Sequence, residues 1–502
     1  MDIILDACSH VFSVQGLLLM MAGTVLGITV GAIPGLTGAM LIALTLPLTF
    51  TMQAKSAFIL LIGMYVGAVS GGLITATLLR MPGTPASIMT TLDGYPMAKA
   101  GRPGRALGLG ITASFAGGLI SWFFLVLLAR PIAAYSTKLG PFEFFSLVLL
   151  ALVLIASIGG KSMSKAFLSA FLGILASMPG IDKASGKLRL TFGFEEMNAG
   201  LSLLPVLIGL FAISQIISDI CRIDEKIELI PVKKRKDMLF SIKDWKDQAV
   251  NMLRSSSLGT LIGILPGIGA NIGSVTAYTA AKSVASPEEK EMFGKGSETA
   301  IVAAESANNA TIGGSLIPMI ALGIPGSVID AILLGALVIH GLQPGPLLFT
   351  QSPDMVYTII ITMFAANLFM FIFMVYSVKH LAKIATIPRS FLMPVILVFC
   401  IVGSFALSTR MFDVWTMLFF GALGFCFEKA KIPLAPFVIG FILAPIAEEN
   451  LMAGLMSSNG SYMPMLSRPV SCTFLVFAAI MLCFPFYKKW QEEKAGKEKS
   501  AD

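Results

Sequence analysis

Leu26–Gly35 reads LGITVGAIPG, and 232 residues further on Leu258–Gly267 reads LGTLIGILPG. Both fit LGxxxGxxPG, and both fall inside long apolar runs. Proline removes an amide donor and clashes with the preceding turn, while glycine accepts the φ values of a sharp bend. Each motif therefore interrupts an apolar helix. Working outward, Gly71-Gly72 precede Pro82-Gly83-Thr84, and Gly313-Gly314 precede Pro325-Gly326-Ser327. Two matches in the same order indicate an internal duplication. Kinks that merely permit close helix packing explain one Gly-Pro pair well, and four in matched sets poorly.

The composition sets the solvent. Of 502 residues, 56% are hydrophobic and 13% charged, against roughly 25% charged in a soluble domain. Mean hydropathy is +0.83. Lipid must face much of the chain. The net charge of +7 does not argue for nucleic acid, because the basic residues lie in loops between apolar runs, as the positive-inside rule expects. Six scattered cysteines without a CxxC pair and three dispersed histidines propose no metal cluster. The start, with Asp2 and Asp6, does not read as a cleavable signal peptide.

A bilayer core needs about 20 apolar residues per helix. Candidate segments fall near 12–33, 56–79, 105–129, 142–158, 163–179 and 198–219, then near 255–280, 299–323, 326–348, 355–379, 389–406, 412–428, 432–448 and 468–488. The fold class expected is an all-α polytopic membrane protein with roughly 11–14 membrane segments, some of them re-entrant hairpins. Its two repeat-related halves are 1–220 and 255–490, joined by a charged linker, 221–254, and followed by a tail, 491–502. The linker holds Lys233-Lys234-Arg235-Lys236. It falls on the same side as Lys99, Arg102, Arg105, Lys161, Lys165, Lys379, Lys383, Arg389 and the tail if the early segments alternate, which puts both termini in the cytoplasm.

Inside lipid, freed backbone groups persist only where protein or a water-filled cavity satisfies them. Broken helices in transporters aim half-helix N-termini at anionic groups and unwound carbonyls at coupling cations. The candidate substrate-binding residues are accordingly Pro34, Gly35, Thr37 and Gly38; Pro82, Gly83 and Thr84; Pro266, Gly267, Gly269 and Asn271; and Pro325, Gly326 and Ser327. Their small polar side chains would let an anion reach bare N–H groups without a lysine. Glu305, Asn308 and Asn309 lie in an apolar run, with Glu305 and Asn309 one turn apart. A carboxylate there marks an ion or proton path; the alternative is a pair with Lys282 or Lys295. Asp330 is either part of a cation site or a cap of the helix that begins there. Asp93 and Glu448-Glu449-Asn450 read as loop or cap residues.

These residues match a known pattern. Gly23–Phe50 (GTVLGITVGAIPGLTGAMLIALTLPLTF), Leu92–Gly101 (LDGYPMAKAG) and Phe293–Ser327 resemble the large permease subunit of the tripartite tricarboxylate transporter family, as do Leu333–Phe349 and Ser467-Arg468-Pro469. ESANNA and LGIPGS are its most specific stretches. Arg80 departs from the pattern, where an apolar or small polar residue is more usual; it would affect substrate choice or snorkel to the surface. The resemblance implies a secondary transporter of the bacterial inner membrane that imports a citrate-like di- or tricarboxylate. It also implies a small membrane subunit and a periplasmic solute-binding protein as partners. The coupling cation would be Na⁺ or H⁺, and no other cofactor or resident metal is expected. A stand-alone carboxylate transporter is the alternative. A membrane-embedded enzyme is less supported, since no GxSxG, GxGD or HExxH motif occurs. A channel lacks the short repeated filter loop expected of it.

Overall fold

The computed structural model describes residues 2–158, 162–182, 185–221, 230–231, 238, 240–267, 269–384 and 389–483. Lys161, the Lys233–Lys236 cluster and the tail lie outside these residues. Helices follow in the order α1 (Asp2–Val11), α2 (Val14–Gly31), α3 (Gly38–Thr49), α4 (Ala54–Leu78), α5 (Ile88–Lys99), α6 (Pro103–Ser136), α7 (Pro141–Ile158) and α8 (Met163–Ser177). A two-strand ribbon pairs Gly180–Ile181 with Leu188–Arg189. Then come α9 (Leu203–Ile208) and α10 (Ser214–Ile220), joined by a π turn, α11 (Ile242–Ile264), α12 (Gly269–Val284), α13 (Pro287–Met292), α14 (Glu298–Leu322) and α15 (Val328–Ile339). The last are α16 (Pro346–Gln351), α17 (Pro353–Ile384), α18 (Arg389–Ser408), α19 (Met411–Lys429), α20 (Leu434–Ser457) and α21 (Met463–Ser467).

Among the described residues, seven helical stretches are long and apolar enough to cross a bilayer, and six shorter ones are apolar. The chain is an all-α multi-pass membrane protein. Two segments differ from expectation. Residues 38–49 form a helix of their own, α3, because the break at Pro34-Gly35 restarts the chain at the Thr37 cap. The charged stretch does not run to 254 as loop: Ser241 and Asp244 form a reciprocal capping box that starts α11 at Ile242.

Glycine spacing decides how the first repeat packs. Gly23, Gly27 and Gly31 recur every fourth residue on α2, and Gly63, Gly67 and Gly71 do so on α4. In lipid, such small-residue faces let two backbones approach closely. A Cβ on Gly27 would collide with the Met64 carbonyl oxygen, one on Gly31 with that of Ala68, and one on Gly71 with that of Ile28. The second repeat repeats these contacts. Gly259 lies against the Ala307 carbonyl, Gly263 against that of Thr311, and Gly314 against that of Thr260. The offset is 232 residues on the first helix and 243, from Pro82 to Pro325, on the second. Gly71 is therefore the counterpart of Gly314 and not of Gly313, one residue away from the alignment that matching glycine pairs suggests.

The repeats are inverted. Ser70 Oγ donates to Asn309 Oδ1 at 2.7 Å, and Tyr65 Oη lies 3.1 Å from Ser315 Oγ. Moving from 65 to 70 along α4 thus moves from 315 to 309 along its counterpart α14, so the two run antiparallel. The relating axis passes near Ala68 and Thr311. In keeping with it, α3 packs on α15 while α12 packs on the 3₁₀ turn Pro85–Ser87.

By contact the chain divides into two compact units, Met1–Ala134 with Leu203–Cys426, and Tyr135–Ser202 with Phe427–Asp502. Each draws on both sides of the linker, so spatial units and sequence halves are separate descriptions. The first holds both repeats and all four breaks. The second is built on α7, α8 and α20. There Gly173 lies against the Phe437 carbonyl and Gly440 against that of Ala170. Arg189 grips Glu448 with two bonds of 2.5 and 2.6 Å. Glu448–Asn450 therefore sit within α20, which runs nine residues beyond the expected end at 448.

Candidate functional site in the broken helices

After α4 the chain does not leave the protein. Gly83 returns to lie against the Gly31 carbonyl, and Thr84 and Ser87 crowd Gly72, within the last two turns of α4. The second repeat does the same: Gly326 lies against the Gly263 carbonyl and the Ser315 side chain. Each second break thus folds back onto the first break of its own repeat. The repeats also meet each other: an added Cβ on Gly38 would lie 2.7 Å from Ala68 Cβ and 3.2 Å from Ile329 Cδ1. Gly38 and Ile329, residues of different repeats, are thereby brought together.

The helix starts at these breaks carry capping hydroxyls. Thr37 accepts from the Met40 N–H at 3.2 Å, and Ser327 accepts from the Asp330 N–H at 3.3 Å. Capping satisfies one N–H per helix and leaves the first N–H groups of α3 and α15 without intrahelical partners. Thr84 is spent otherwise, 2.9 Å from the Ser87 hydroxyl. Pro34-Gly35 bends with Gly35 at φ 96°, and Pro266-Gly267 with Gly267 at 70° and Gly269 at 68°. Beside Gly35 stands Asp219, whose carboxylate oxygens would lie 3.2 Å from an added Cβ. Asn271 is exposed on α12 and makes no hydrogen bond among the described residues.

Glu305, Ser306, Asn308 and Asn309 of α14 are fully buried. Glu305 pairs with neither Lys282 nor Lys295. One of its oxygens accepts from Thr90 on α5, and the other from Ser114 on α6 at 3.2 Å and Asn308 Nδ2 at 3.4 Å. Asn309 accepts from Ser70 and donates to the Glu305 carbonyl at 3.3 Å. Asn308 Oδ1 is buried without a hydrogen-bond partner among the described residues. Asp330 is also fully buried, and Ser327 caps α15 at its N–H, so the cap belongs to Ser327 and the Asp330 carboxylate remains uncommitted.

Sequence reading missed Tyr65, Ser70, Thr90, Ser114 and Ser315. Tyr65, the one tyrosine in the apolar run of α4, was the available signal. The others are common in membrane helices and stand out only through partners in the opposite repeat. Asp93 was missed in a different way. It lies inside α5, fully buried, and accepts from Tyr278 Oη and the N–H groups of Gly294, Gly296 and Ser297.

The model of the "Tripartite tricarboxylate transporter TctA family" matches residues 17–439. An "Uncharacterized 52.8 kDa protein in TAR-I ttuC' 3'region" of Agrobacterium vitis is 34% identical over 454 residues, 90% of this chain and 89% of that protein. An "Uncharacterized protein in TAR-II ttuC' 3'region" of the same organism is 33% identical over 218 residues, 43% of this chain and 89% of its own length. No solved structure matches.

Proposed function

We propose, given that this chain belongs to the tripartite tricarboxylate transporter TctA family, that it is the permease through which a citrate-like di- or tricarboxylate enters the cell on an ion gradient. In this reading a periplasmic solute-binding protein delivers the substrate and a small membrane subunit completes the system. The chain sits in a bacterial inner membrane with both termini in the cytoplasm.

One observation carries the reading: in the inverted repeats each second break folds back onto the first, and Gly38 after the Pro34-Gly35 break meets Ile329 after the Pro325-Gly326 break. A substrate carboxylate would lie against the free N–H groups at the starts of α3 and α15, between Thr37-Gly38 and Ser327. The break Pro82-Gly83-Thr84, the break Pro266-Gly267 and the start of α12 at Gly269 and Asn271 would supply the symmetry-related surfaces. Helix starts favour anions through both their N–H groups and the peptide dipole. Glu305, Asn308, Asn309 and Asp330 are the proposed ion-coupling set. Inversion supports alternating access, since exchange of the two repeats' conformations would open the same site to opposite faces.

The test is uptake of labelled citrate into proteoliposomes holding the chain with its small subunit and binding protein. Pro266→Ala with Gly267→Ala should abolish accumulation while the protein inserts normally. Uptake equal to wild type would remove the breaks from the site. Recovery of chemically altered substrate would point to an enzyme instead.

A further inference from the structure

Position 330 differs in kind from its counterpart. The offset that carries Pro82 onto Pro325 carries Thr84 onto Ser327, Ser87 onto Asp330 and Gly72 onto Ser315. In the first repeat this pocket is neutral and closed on itself, with the Thr84 and Ser87 hydroxyls 2.9 Å apart over Gly72. In the second repeat a carboxylate occupies it. Asp330 is fully buried, and both its oxygens are without a hydrogen bond among the described residues. The hydroxyls of Ser327, Ser315 and Tyr65 face it. They are engaged with one another, Tyr65 Oη lying 3.1 Å from Ser315 Oγ and 3.2 Å from Ser327 Oγ.

The fold does not require that charge, because a serine fills the same place in the first repeat. A buried carboxylate without a cationic partner is costly, and such groups are otherwise paired or bound to a cation. Asp330 also lies in the first turn of α15, where the peptide dipoles favour its anionic form. The side chains that face it offer hydroxyl oxygens, with the Ser327 backbone N–H beside them, and an oxygen-rich side-chain set suits a hard cation. A single carboxylate balances a single positive charge. We infer that Asp330, with the hydroxyls of Ser315, Ser327 and Tyr65, forms a sodium site, and that Glu305 is not a ligand.

Within the proposed ion-coupling set Glu305 is the weaker candidate ligand, because both its oxygens accept hydrogen bonds, from Thr90 and from Ser114 and Asn308, whereas those of Asp330 accept none among the described residues. The sodium site ties together α4 through Tyr65, α14 through Ser315 and the second break through Ser327. An ion there would fix the α15 start at which the substrate carboxylate is proposed to bind. The assignment rests on the transport reading for its purpose, yet ion binding is measured without any carboxylate, so either can fail alone.

The experiment is thermal unfolding of the purified full chain in detergent, in NaCl, KCl or choline chloride at equal ionic strength. Wild type should gain about 3 °C in NaCl at roughly 100-fold excess over Kd, and little in the other salts. Asp330→Asn should lose the sodium increment. Tyr65→Phe should shift the increment to several-fold higher sodium. Glu305→Gln should lower Tm in every salt and keep the increment. If Asp330→Asn does not fold, Asp330→Ser, which carries the first repeat's residue, takes its place. A full increment in the Asp330 variants, or none in wild type, overturns the site.

Discussion

Asp93 holds the second repeat to the first, and its removal has a magnitude that the contacts define. Its Oδ1 accepts from the N–H groups of Gly294, Gly296 and Ser297 at 2.8, 3.0 and 2.8 Å, and its Oδ2 from Tyr278 Oη at 2.9 Å. Ser297 is in turn the cap of α14. Asp93→Ala strands the buried Ser297 N–H and Tyr278 hydroxyl, at about 1–3 kcal/mol each. Gly294 is exposed and Gly296 half-buried, so water can replace most of what they lose. The expected cost is about 3–5 kcal/mol. Tyr278→Phe should cost about 1 kcal/mol, and the double variant less than the sum by a similar amount, because the shared bond is lost only once. The assay is reversible unfolding of the purified chain in mixed micelles across this double-mutant cycle. An Asp93→Ala cost below about 1 kcal/mol, or full additivity with Tyr278→Phe, would refute the reasoning.

Other positions give sharper contrasts between the repeats. Gly27→Ala and Gly259→Ala put a methyl onto rigid backbone, 2.8 Å from the Ala68 nitrogen and 2.7 Å from Ala307 Cα respectively, and each should cost about 1–3 kcal/mol in the same unfolding assay. Gly323→Ala should cost about 1 kcal/mol, since Gly323 ends α14 at φ 71°. Its counterpart Arg80 holds φ 57°, so Arg80→Gly should leave stability unchanged or raise it. At the polar start of α11, the two bonds from Arg105, 2.7 and 2.8 Å long, hold the Asp244 carboxyl well below the usual carboxylate range. A depressed folded-state pKa stabilises above the unfolded value of about 3.9 and loses that stability as pH falls toward the folded one. Tm of wild type should therefore drop below about pH 4 more steeply than that of Asp244→Asn.

Backbone chemistry was legible in the sequence, and partner choice was not. Proline and glycine act on their own residues, so the four breaks at Pro34, Pro82, Pro266 and Pro325 could be placed without a structure. Apolar length likewise set the fold class, although α3 disappeared because its twelve residues are too few for a span. A buried polar residue announces only that it needs a partner. Glu305 met Thr90 and Ser114 across the repeats, where sequence reading offered nearby lysines. Asp93 looked like a cap and is one, but of a helix start more than two hundred residues away. The glycine alignment slipped by one because letters were matched, whereas packing counts residues back from the proline.

Inversion was equally out of reach, since it depends on the parity of crossings and one re-entrant hairpin reverses that parity. Two side-chain bonds between α4 and α14 decide it, because counterpart helices that contact each other antiparallel must be related by a twofold axis. That symmetry turns comparison of the repeats into a functional filter. Positions that agree, such as Gly27 with Gly259 or Gly83 with Gly326, make the same backbone contact twice and are explained by packing. Positions that disagree are not. Tyr65 stands where the second repeat has Asn308, Arg80 where it has Gly323, and Ser87 where it has Asp330. A symmetric scaffold carrying one uncommitted carboxylate in one of two equivalent pockets has an electrical direction that its backbone lacks. On the sodium site we infer, that single difference would let one pocket take a cation while the other stays neutral.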